Sequence, residues 1–336
     1  MKIPVAVGWA VGIFATIVGI IGVAAYSEQL ISVAKTEKPV TAITAPNHPV
    51  SSVTTAVKSA ALFQPPSEQD MPKDEFGKTV QLGKDIFEHT SRYASQYTGP
   101  TNLRCASCHL DAGRLANSAP LWAAYVSYPA YRNKNKHVNT YSERLQGCFK
   151  YSMNGNAPPL GDPVLIALES YSYWLATGAT INPKIPGRGY PQVPKPPLPR
   201  DYARGQAVFE QSCAMCHGAD GGGQSDANGE PNFPALWGPK SFNWGAGMGS
   251  IKNAAGFIKA NMPLGLGGTL SNQQAWDVAT FMNSHERPQD PRFQGDIAAT
   301  RAKYHDSADD MYGVIVNGQL LGKGSIAANK ATPSMK

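Results

Sequence analysis

Two segments of the chain carry apolar residues at the three- and four-residue steps that are typical of one buried helix face. In the first segment these residues are Leu165, Leu168, Tyr171, Trp174 and Leu175. In the second segment, which follows the cap-like Ser271, they are Ala275, Trp276, Ala279, Phe281 and Met282. Stripes of this kind usually form core, so both segments are predicted to be buried helices.

A second pair of helices is predicted upstream of these two. The first of them covers residues from about Glu75 to Tyr97, and the second begins after Asp201, which is placed as an N-cap. Each carries a glycine followed four residues later by a phenylalanine, namely Gly83 and Phe87 in the first and Gly205 and Phe209 in the second. The glycine allows another helix to approach closely. The repeated order of helices indicates an internal duplication.

Between the two helices of each half lies the pattern C-x-x-C-H. It occurs as Cys105-Ala106-Ser107-Cys108-His109 and as Cys213-Ala214-Met215-Cys216-His217. In this pattern the two thiols form thioether bonds to a haem and the histidine becomes an iron ligand. A redox dithiol or half of a zinc site would not require the adjacent histidine. The motifs therefore predict two covalently bound haem c groups.

The order of N-terminal helix, haem motif, long loop and C-terminal helix describes the cytochrome c fold. We expect a mainly α protein with two cytochrome c-type domains in tandem, at residues 70–182 and 200–287. A linker at residues 183–199, with seven prolines between Pro183 and Pro199, separates the domains. A C-terminal extension at residues 288–336 follows and is expected to wrap back across both domains.

The N-terminus begins Met1-Lys2-Ile3 and continues as an apolar run from Val5 to Tyr26. The length of this run favours a retained membrane anchor at residues 1–26, although Val23 and Ala25 permit cleavage of a signal peptide before Tyr26. Residues 27–69 are rich in Ser, Thr, Ala, Pro and Val and predict a flexible linker. The protein is therefore expected in the periplasm, anchored to the inner membrane if the segment is uncleaved.

Charge adds little to this picture. The 336-residue chain has a formal net charge of +6, which haem propionates would largely offset, so no nucleic-acid partner is expected.

Cysteine content is more informative. The chain has five cysteines and the two motifs use four, which leaves Cys148 as an iron ligand, an intermolecular disulfide partner, a reactive thiol or an inert buried side chain.

Each haem iron has a sixth coordination position in addition to the motif histidine. In the second domain the candidates are Met248, Met262 and Met282. Met262 is preferred because it lies nine residues before Ser271, in the loop that should fold over the haem. In the first domain Met153 stands at nearly the same offset before the helix at Pro163, so spacing alone favours Met153 over Cys148, and the residue pattern as a whole comes to a near tie.

Several segments resemble the thiosulfate dehydrogenase family. They are ERLQGCFKYSMNG at 143–155, CASCHLDAGR at 105–114, SYPAYR at 127–132, LWGP at 236–239, FNWGAGM at 242–248 and RPQDPRF at 287–293. The resemblance extends from about Phe76 to Gly322. It implies His109 and Cys148 on the first iron and His217 and Met262 on the second. Some members carry a competing lysine beside the methionine, whereas this chain has Asn261, so plain His/Met ligation is implied.

The resemblance also implies a reaction, in which two thiosulfates join into tetrathionate with release of two electrons, or the reverse. Cys148 suits this chemistry as iron ligand and nucleophile. Since both sulfur compounds are dianions, Arg144 and Arg132 are the expected anion-binding residues, with Lys150 behind them. His89 and His137 are interpreted as surface residues.

Thiolate ligation lowers a haem potential and methionine raises it, so electrons are expected to pass from the first haem to the second and then to a soluble c-type cytochrome or similar acceptor. Two other functions stay open at this point. A pure electron carrier would use Met153 on the first iron. Another sulfur-oxidising cytochrome would use the Cys-ligated haem on a carrier-bound sulfur species.

Overall fold

A computed structural model describes residues 62–133, 135–181, 184–227 and 229–325. The predicted N-terminal anchor or signal, most of the predicted linker at 27–69 and the end of the C-terminal extension lie outside these ranges. Across the described ranges, helices are too short or too polar to cross a membrane. The described chain is mainly helical, as predicted.

The first half is built on two crossing helices, Glu75–Glu88 and Pro163–Leu175. The side chain of Asp74 caps the first helix by accepting a hydrogen bond from the backbone N–H of Gly77. The side chain of Asp162 caps the second helix by accepting one from the backbone N–H of Val164. At the crossing, a Cβ atom on Gly83 would lie 2.1 Å from the carbonyl oxygen of Ala167, so only glycine allows this approach. The core around these helices includes Val80, Ile86, Phe87, Trp122, Phe149, Leu165, Leu168 and Tyr171.

The first helix is shorter than the sequence predicts. It ends at Glu88 and is followed by the short helices Thr90–Tyr93 and Ser95–Tyr97, because His89 leaves the helical conformation. The Oγ1 atom of the buried Thr90 then accepts a hydrogen bond from the backbone N–H of Cys105 at 3.1 Å. A contact with the first motif therefore determines where this helix is interrupted.

The second half repeats this arrangement with helices Tyr202–Ser212 and Asn272–Asn283. The predicted caps are confirmed: Asp201 accepts a hydrogen bond from the N–H of Arg204, and Ser271 from that of Gln274. A Cβ atom on Gly205 would lie 2.1 Å from the carbonyl oxygen of Asp277, so this crossing also requires glycine. A second core cluster includes Val208, Phe209, Ile251, Ala255, Ala275, Val278, Ala279 and Met282.

Shorter elements complete the described chain. The other helical segments are Glu68–Asp70, Cys105–Ser107, Leu110–Gly113, Leu121–Tyr125, Tyr141–Gly147, Cys148–Ser152, Ala214–His217, Gly247–Gly249, Ile251–Asn261 and Ile297–Tyr304. Three antiparallel two-stranded sheets pair Ala130–Arg132 with His137–Asn139, Gln224–Ser225 with Pro231–Phe233, and Ile315–Val316 with Gln319–Leu320.

Two segments outside the helical cores are packed in place. Phe63, at the described end of the predicted flexible linker, contacts Trp122 with ring centroids 5.0 Å apart. Further along, the carbonyl oxygen of Pro66 accepts a hydrogen bond from Arg114 at 2.6 Å. These contacts differ from the prediction of a flexible tether up to residue 69, because the apolar Phe63 finds a partner in the core. In the C-terminal extension, Tyr312 and Leu321 form a small buried cluster with Trp244.

Candidate functional site

The first C-x-x-C-H motif opens onto a cavity of about 380 Å³ in the first half of the chain. The predicted residues that line this cavity are Cys105, Cys108, His109, Arg132, Arg144, Cys148 and Met153. The structure thus gathers the motif, the fifth cysteine, both predicted anion-binding arginines and the rival methionine around one space. Lys150 does not line the cavity, and its ammonium group lies 5.6 Å from the ring centroid of Tyr151.

The imidazole of His109 is held in one orientation by the backbone. Its Nδ1 atom lies 2.7 Å from the carbonyl oxygen of Ala119, so Nδ1 carries the hydrogen and Nε2 keeps its lone pair for a metal. Burial lowers the pKa of His109 to about 4, which keeps the ring neutral at pH 7. The N–H of Ala119 in turn donates to the carbonyl oxygen of Gly189 at 2.9 Å. The Pro-rich segment therefore helps place the acceptor of His109.

The two motif thiols are poorly suited to redox exchange. Burial raises the pKa of Cys105 to about 12 and that of Cys108 to about 11, whereas reactive dithiols need a lowered pKa. In the described ranges, no group of three or more His, Cys, Asp and Glu side chains is arranged as a metal site. The raised thiol pKa values favour thioether attachment over a redox dithiol.

Cys148 and Met153 lie at opposite ends of a single π-helical turn, Cys148–Ser152 followed by Met153. The turn continues the helix Tyr141–Gly147, which begins with a capping box between Thr140 and Glu143. Met153 is 2% exposed and belongs to the first core, while Cys148 is half-buried. Both side chains reach the cavity, so the geometry keeps both as candidates.

Positive charge lies next to the Cys148 sulfur. Arg144 precedes Cys148 by one helical turn, and the interaction with Cys148 is the main cause that raises the pKa of the Arg144 guanidinium. Arg132 reaches the cavity from the strand Ala130–Arg132, and its guanidinium lies 5.9 Å from the ring centroid of Tyr128. An anion entering this cavity would meet both groups.

Other residues of the cavity were not found from the sequence. Arg104 lines the cavity and was missed, although its position directly before Cys105 could have indicated that it lies there. Arg188 and Tyr190 reach it from the segment interpreted as a linker, where no periodicity marks them. The histidines predicted to lie on the surface, His89 and His137, line neither this cavity nor the second one; His137 is exposed and lies 3.2 Å from Glu143.

The second motif opens onto a cavity of about 180 Å³ lined by Cys213, Cys216 and His217. The Nδ1 atom of His217 lies 2.9 Å from the carbonyl oxygen of Pro234, and burial lowers the pKa of His217. Burial also raises the pKa of Cys213 to about 11. The second motif thus repeats the arrangement of the first.

Three methionines line the second cavity. Met262 follows the end of the helix Ile251–Asn261, Met282 lies within the helix Asn272–Asn283, and Met248 also lines the first cavity. The two cavities share further wall residues, namely Leu103, Arg104, Cys108 and Phe242. They are therefore neighbours within the described chain.

Each cavity fits a covalently attached haem. Each offers two thiols, a neutral histidine with its Nε2 free of the backbone hydrogen bond, and at least one sulfur side chain from a later segment. Their walls are largely apolar and aromatic, as a porphyrin ring requires. The donor set therefore supports one haem c in each cavity.

Comparisons with known proteins agree with this chemistry. Residues 202–286 match the family model described as cytochrome c. The chain is 62% identical over 272 residues to a thiosulfate dehydrogenase of Thiomonas intermedia (strain K12), and the aligned region covers 81% of this chain and 86% of the relative. It is 54% identical over 264 residues to a thiosulfate dehydrogenase of Stutzerimonas stutzeri (strain A1501), and this aligned region covers 78% of this chain and 85% of the relative.

A solved structure is also similar. The thiosulfate dehydrogenase (TsdBA) from Marichromatium purpuratum, in its "as isolated" form, superposes with a TM-score of 0.75 at 48% sequence identity. The match covers 80% of this chain and 59% of that chain, so the solved chain contains substantial sequence beyond the matched part.

Proposed function

Since this chain belongs to the thiosulfate dehydrogenase family, we propose that thiosulfate is oxidised to tetrathionate in the first cavity and that Cys148 carries the sulfur chemistry. Family membership makes the protein an oxidoreductase that acts on thiosulfate with covalently bound haem c. The observation that carries the proposed site is the meeting of Cys148, Arg144 and the first C-x-x-C-H motif around one cavity.

The proposed architecture is two cytochrome c-type domains in tandem, at residues 70–182 and 200–287. The family model matches the second domain. Support for the first domain comes from the repeated plan, in which a capped N-terminal helix crosses a C-terminal helix at a glycine and a C-x-x-C-H motif lies between them. The same plan supports two haems in the chain.

In the proposed reaction the Cys148 thiolate forms a sulfur–sulfur bond with the sulfane sulfur of one thiosulfate. This step gives Cys–S–S–SO₃⁻ and releases two electrons. The sulfane sulfur of a second thiosulfate then attacks the sulfane sulfur of that adduct, which forms tetrathionate and returns the Cys148 thiolate. Bound haem c would supply one-electron acceptance, so the two haems of the chain would together take up the two electrons that this reaction releases. No proton is transferred in either step.

Arg144 and Arg132 are proposed to hold the sulfonate groups during these steps. Thiosulfate brings two negative charges to a thiolate, and this approach is repulsive unless fixed positive charge compensates it. The raised pKa of Arg144, with Cys148 as its main cause, supports this placement of positive charge beside the sulfur. An arginine guanidinium stays charged at neutral pH, so its charge remains available while Cys148 reacts.

The second cavity is proposed to hold a haem with His217 and Met262 as axial ligands and to pass electrons outward. Its shared wall with the first cavity supports a short path between the two haems. A soluble c-type cytochrome, or a similar acceptor, is the proposed partner. The apolar run at residues 5–26 supports a periplasmic location with the N-terminal segment as membrane anchor.

The test is to record low-temperature EPR and near-infrared spectra of the oxidised holoprotein and to assay Cys148→Ala and Met153→Leu. One His/thiolate haem and one His/Met haem are expected. Cys148→Ala should keep both covalent haems and lose thiosulfate turnover, whereas Met153→Leu should keep turnover. Full turnover in Cys148→Ala would overturn the role of Cys148, whereas two His/Met haems without thiosulfate turnover in the unchanged protein would indicate an electron carrier that uses Met153.

A further inference from the structure

The turn that carries Cys148 has an unusual backbone. Residues Cys148–Ser152 form a π-helical turn, a rare conformation that is frequently found at functional sites. Because Cys148 is its first residue, the shape of this turn sets the direction in which the Cys148 sulfur points. What holds the turn in shape is therefore relevant to the chemistry of the first cavity.

Asn243, from the second half of the chain, holds this turn with both backbone and side chain. Its backbone N–H donates to the carbonyl oxygen of Tyr151 at 3.2 Å. Its Nδ2 atom donates to the carbonyl oxygen of Lys150 at 2.9 Å and to Oδ1 of Asn154 at 3.1 Å, while its Oδ1 accepts from the N–H of Gly245 at 3.0 Å. Both ends of the Asn243 amide are thus satisfied.

This arrangement requires an asparagine. Asn243 is 1% exposed. If its side chain no longer donated, the carbonyl oxygen of Lys150 would lose this hydrogen bond in a buried place, which is unfavourable. Aspartate would direct a carboxylate oxygen at two acceptors. Alanine would remove the donor from two of the three contacts with the turn. Both changes should let the turn relax towards an ordinary α-helical path.

The segment around Asn243 also forms part of the first cavity. Phe242 and Ala246 line the cavity on either side of it. A Cβ atom on Gly245 would lie 2.4 Å from Cδ1 of Tyr151, so the Tyr151 ring packs directly on this backbone. Asn243 therefore connects the cavity wall to the Cys148 turn.

We propose that Asn243 is a positioning residue for thiosulfate oxidation, which fixes the π-helical turn so that the Cys148 sulfur is presented to the first cavity together with His109. This inference rests on the proposed role of Cys148. Asn243 acts through the turn and is not itself in contact with the reacting sulfur atoms.

The experiment compares oxidised holoproteins of the unchanged chain, Asn243→Ala and a control, Asn283→Ala. Asn283 is also a fully buried asparagine, but it bonds within its own helix and to Arg287, away from the turn. In Asn243→Ala the His/thiolate EPR signal should weaken or split and the potential of the first haem should rise, while the second haem is unchanged. Loss of such supporting contacts typically lowers activity by about 10–100-fold, so kcat should fall within that range. Asn283→Ala should leave the first-haem signal and potential unchanged.

A milder variant keeps the test decisive if Asn243→Ala does not fold. Asn154 has a φ of +46°, a conformation that glycine adopts without strain. Asn154→Gly removes one acceptor of the Asn243 amide and should shift the same signal and potential in the same direction, by less.

The two proposals fail in different ways. A thiolate signal that is present in the unchanged protein and unaltered in Asn243→Ala and Asn154→Gly would overturn the positioning role. Absence of a thiolate signal from the unchanged protein would overturn the ligand role of Cys148 and, with it, the basis for this inference.

Discussion

Asn102 accepts, through its Oδ1 atom, a hydrogen bond at 2.9 Å from the backbone N–H of Ala235, which lies 133 residues later in the chain. Ala235 directly follows Pro234, whose carbonyl oxygen is the acceptor for His217. A contact of the same kind runs the other way, since Asn261 donates to the carbonyl oxygen of Asn117 at 3.2 Å. Each half of the chain therefore forms a hydrogen bond with the loop that orients the motif histidine of the other half.

The first prediction follows from the burial of Asn102, which is 8% exposed. Asn102→Ala leaves the N–H of Ala235 without this acceptor and should lower the free energy of unfolding by about 1–3 kcal/mol. Denaturant titration of the holoprotein measures this change. Gln206→Ala is the matched control, because Gln206 is an exposed amide that bonds only along its own helix. Equal effects of the two substitutions would contradict the importance of this contact between the two halves of the chain.

Arg144 should control the affinity for thiosulfate. Arg144→Gln removes the positive charge beside Cys148, and the KM for thiosulfate should rise by about 10–100-fold, the factor expected for one hydrogen bond to a charged group. Arg144→Lys should restore part of the affinity, since it keeps the charge but not the paired N–H groups. Steady-state kinetics at several thiosulfate concentrations provide the measurement.

The control for Arg144 is Arg92→Gln, which removes the same charge from an exposed position outside the cavity. Its KM should stay at the unchanged value. Arg132→Gln tests the second arginine in the same assay. If Arg144→Gln and Arg92→Gln have the same KM, the role of Arg144 in binding the dianion is wrong.

Met262 should set the potential of the second haem. Met262→Leu removes the thioether sulfur while nearly conserving volume, so stability should change by less than about 1.5 kcal/mol. Loss of a methionine ligand should lower the potential of the second haem, because Met/His ligation raises it. Spectroelectrochemical titration follows both haems separately. Met248→Leu and Met282→Leu are the controls, and a drop in potential in either of them but not in Met262→Leu would reassign the ligand.

The C-terminal extension contains a buried pH-sensitive cluster around His305. Its Nε2 atom lies 2.9 Å from Asp290 and its Nδ1 atom 2.7 Å from Asp310. Burial alone would lower the pKa of His305, but hydrogen bonds to these two carboxylates raise it above its ordinary value. Burial likewise opposes ionisation of Asp290, but hydrogen bonds from Arg292 and His305 bring its pKa well below the ordinary range.

These shifts predict how stability depends on pH. The His305 contribution is complete below the unfolded pKa of about 6.5 and is lost as the pH rises through the raised folded value. The Asp290 contribution is present above an unfolded pKa of about 3.9 and is lost as the pH falls through its lowered folded value. Both contributions are therefore largest between about pH 4 and 6.5.

The corresponding experiment is to compare His305→Asn with the unchanged protein by denaturant titration at pH 6 and pH 9. The variant should be less stable by about 1–3 kcal/mol at pH 6, and the difference should be smaller at pH 9, because a raised pKa gives a stabilisation that decreases as the pH rises. His137→Asn, at an exposed position, is the control and should show little difference at either pH. A His305→Asn difference that is equal at both pH values would exclude the charged form of His305 as its source.

Local signals in the sequence located the two motifs and the two helices on either side of each motif. Asp201 and Ser271 cap their helices as predicted, since a cap depends on residues only a few positions away. The stretch predicted as one helix to Tyr97 was wrong beyond Glu88, because Thr90 bonds to Cys105 instead. A helical pattern does not contain that tertiary contact.

For the site, the two motifs were recognisable from residue type and spacing, whereas Cys148 was preferred over Met153 only through the family resemblance, and Arg144 was chosen from its spacing to Cys148. The wall residues from distant segments were not recognisable. Tyr190 lines the first cavity, and Asn243 contacts the turn that carries Cys148, only after the chain has folded, and neither residue belongs to a periodic pattern. Their contribution depends on backbone hydrogen bonds between segments far apart in the chain, and such contacts cannot be predicted from the local sequence.

The Pro-rich segment joins both halves by specific contacts. The carbonyl oxygen of Gly187 accepts from the N–H of Asn117 at 2.7 Å, and Tyr190 packs against Phe257 with ring centroids 5.5 Å apart. A chimaera that exchanged this segment for a generic spacer, or that grafted the second half onto another carrier, would remove a wall of the first cavity. The two halves are thus not interchangeable modules, and the unit available for engineering or recombination is the whole pair with its connecting segment.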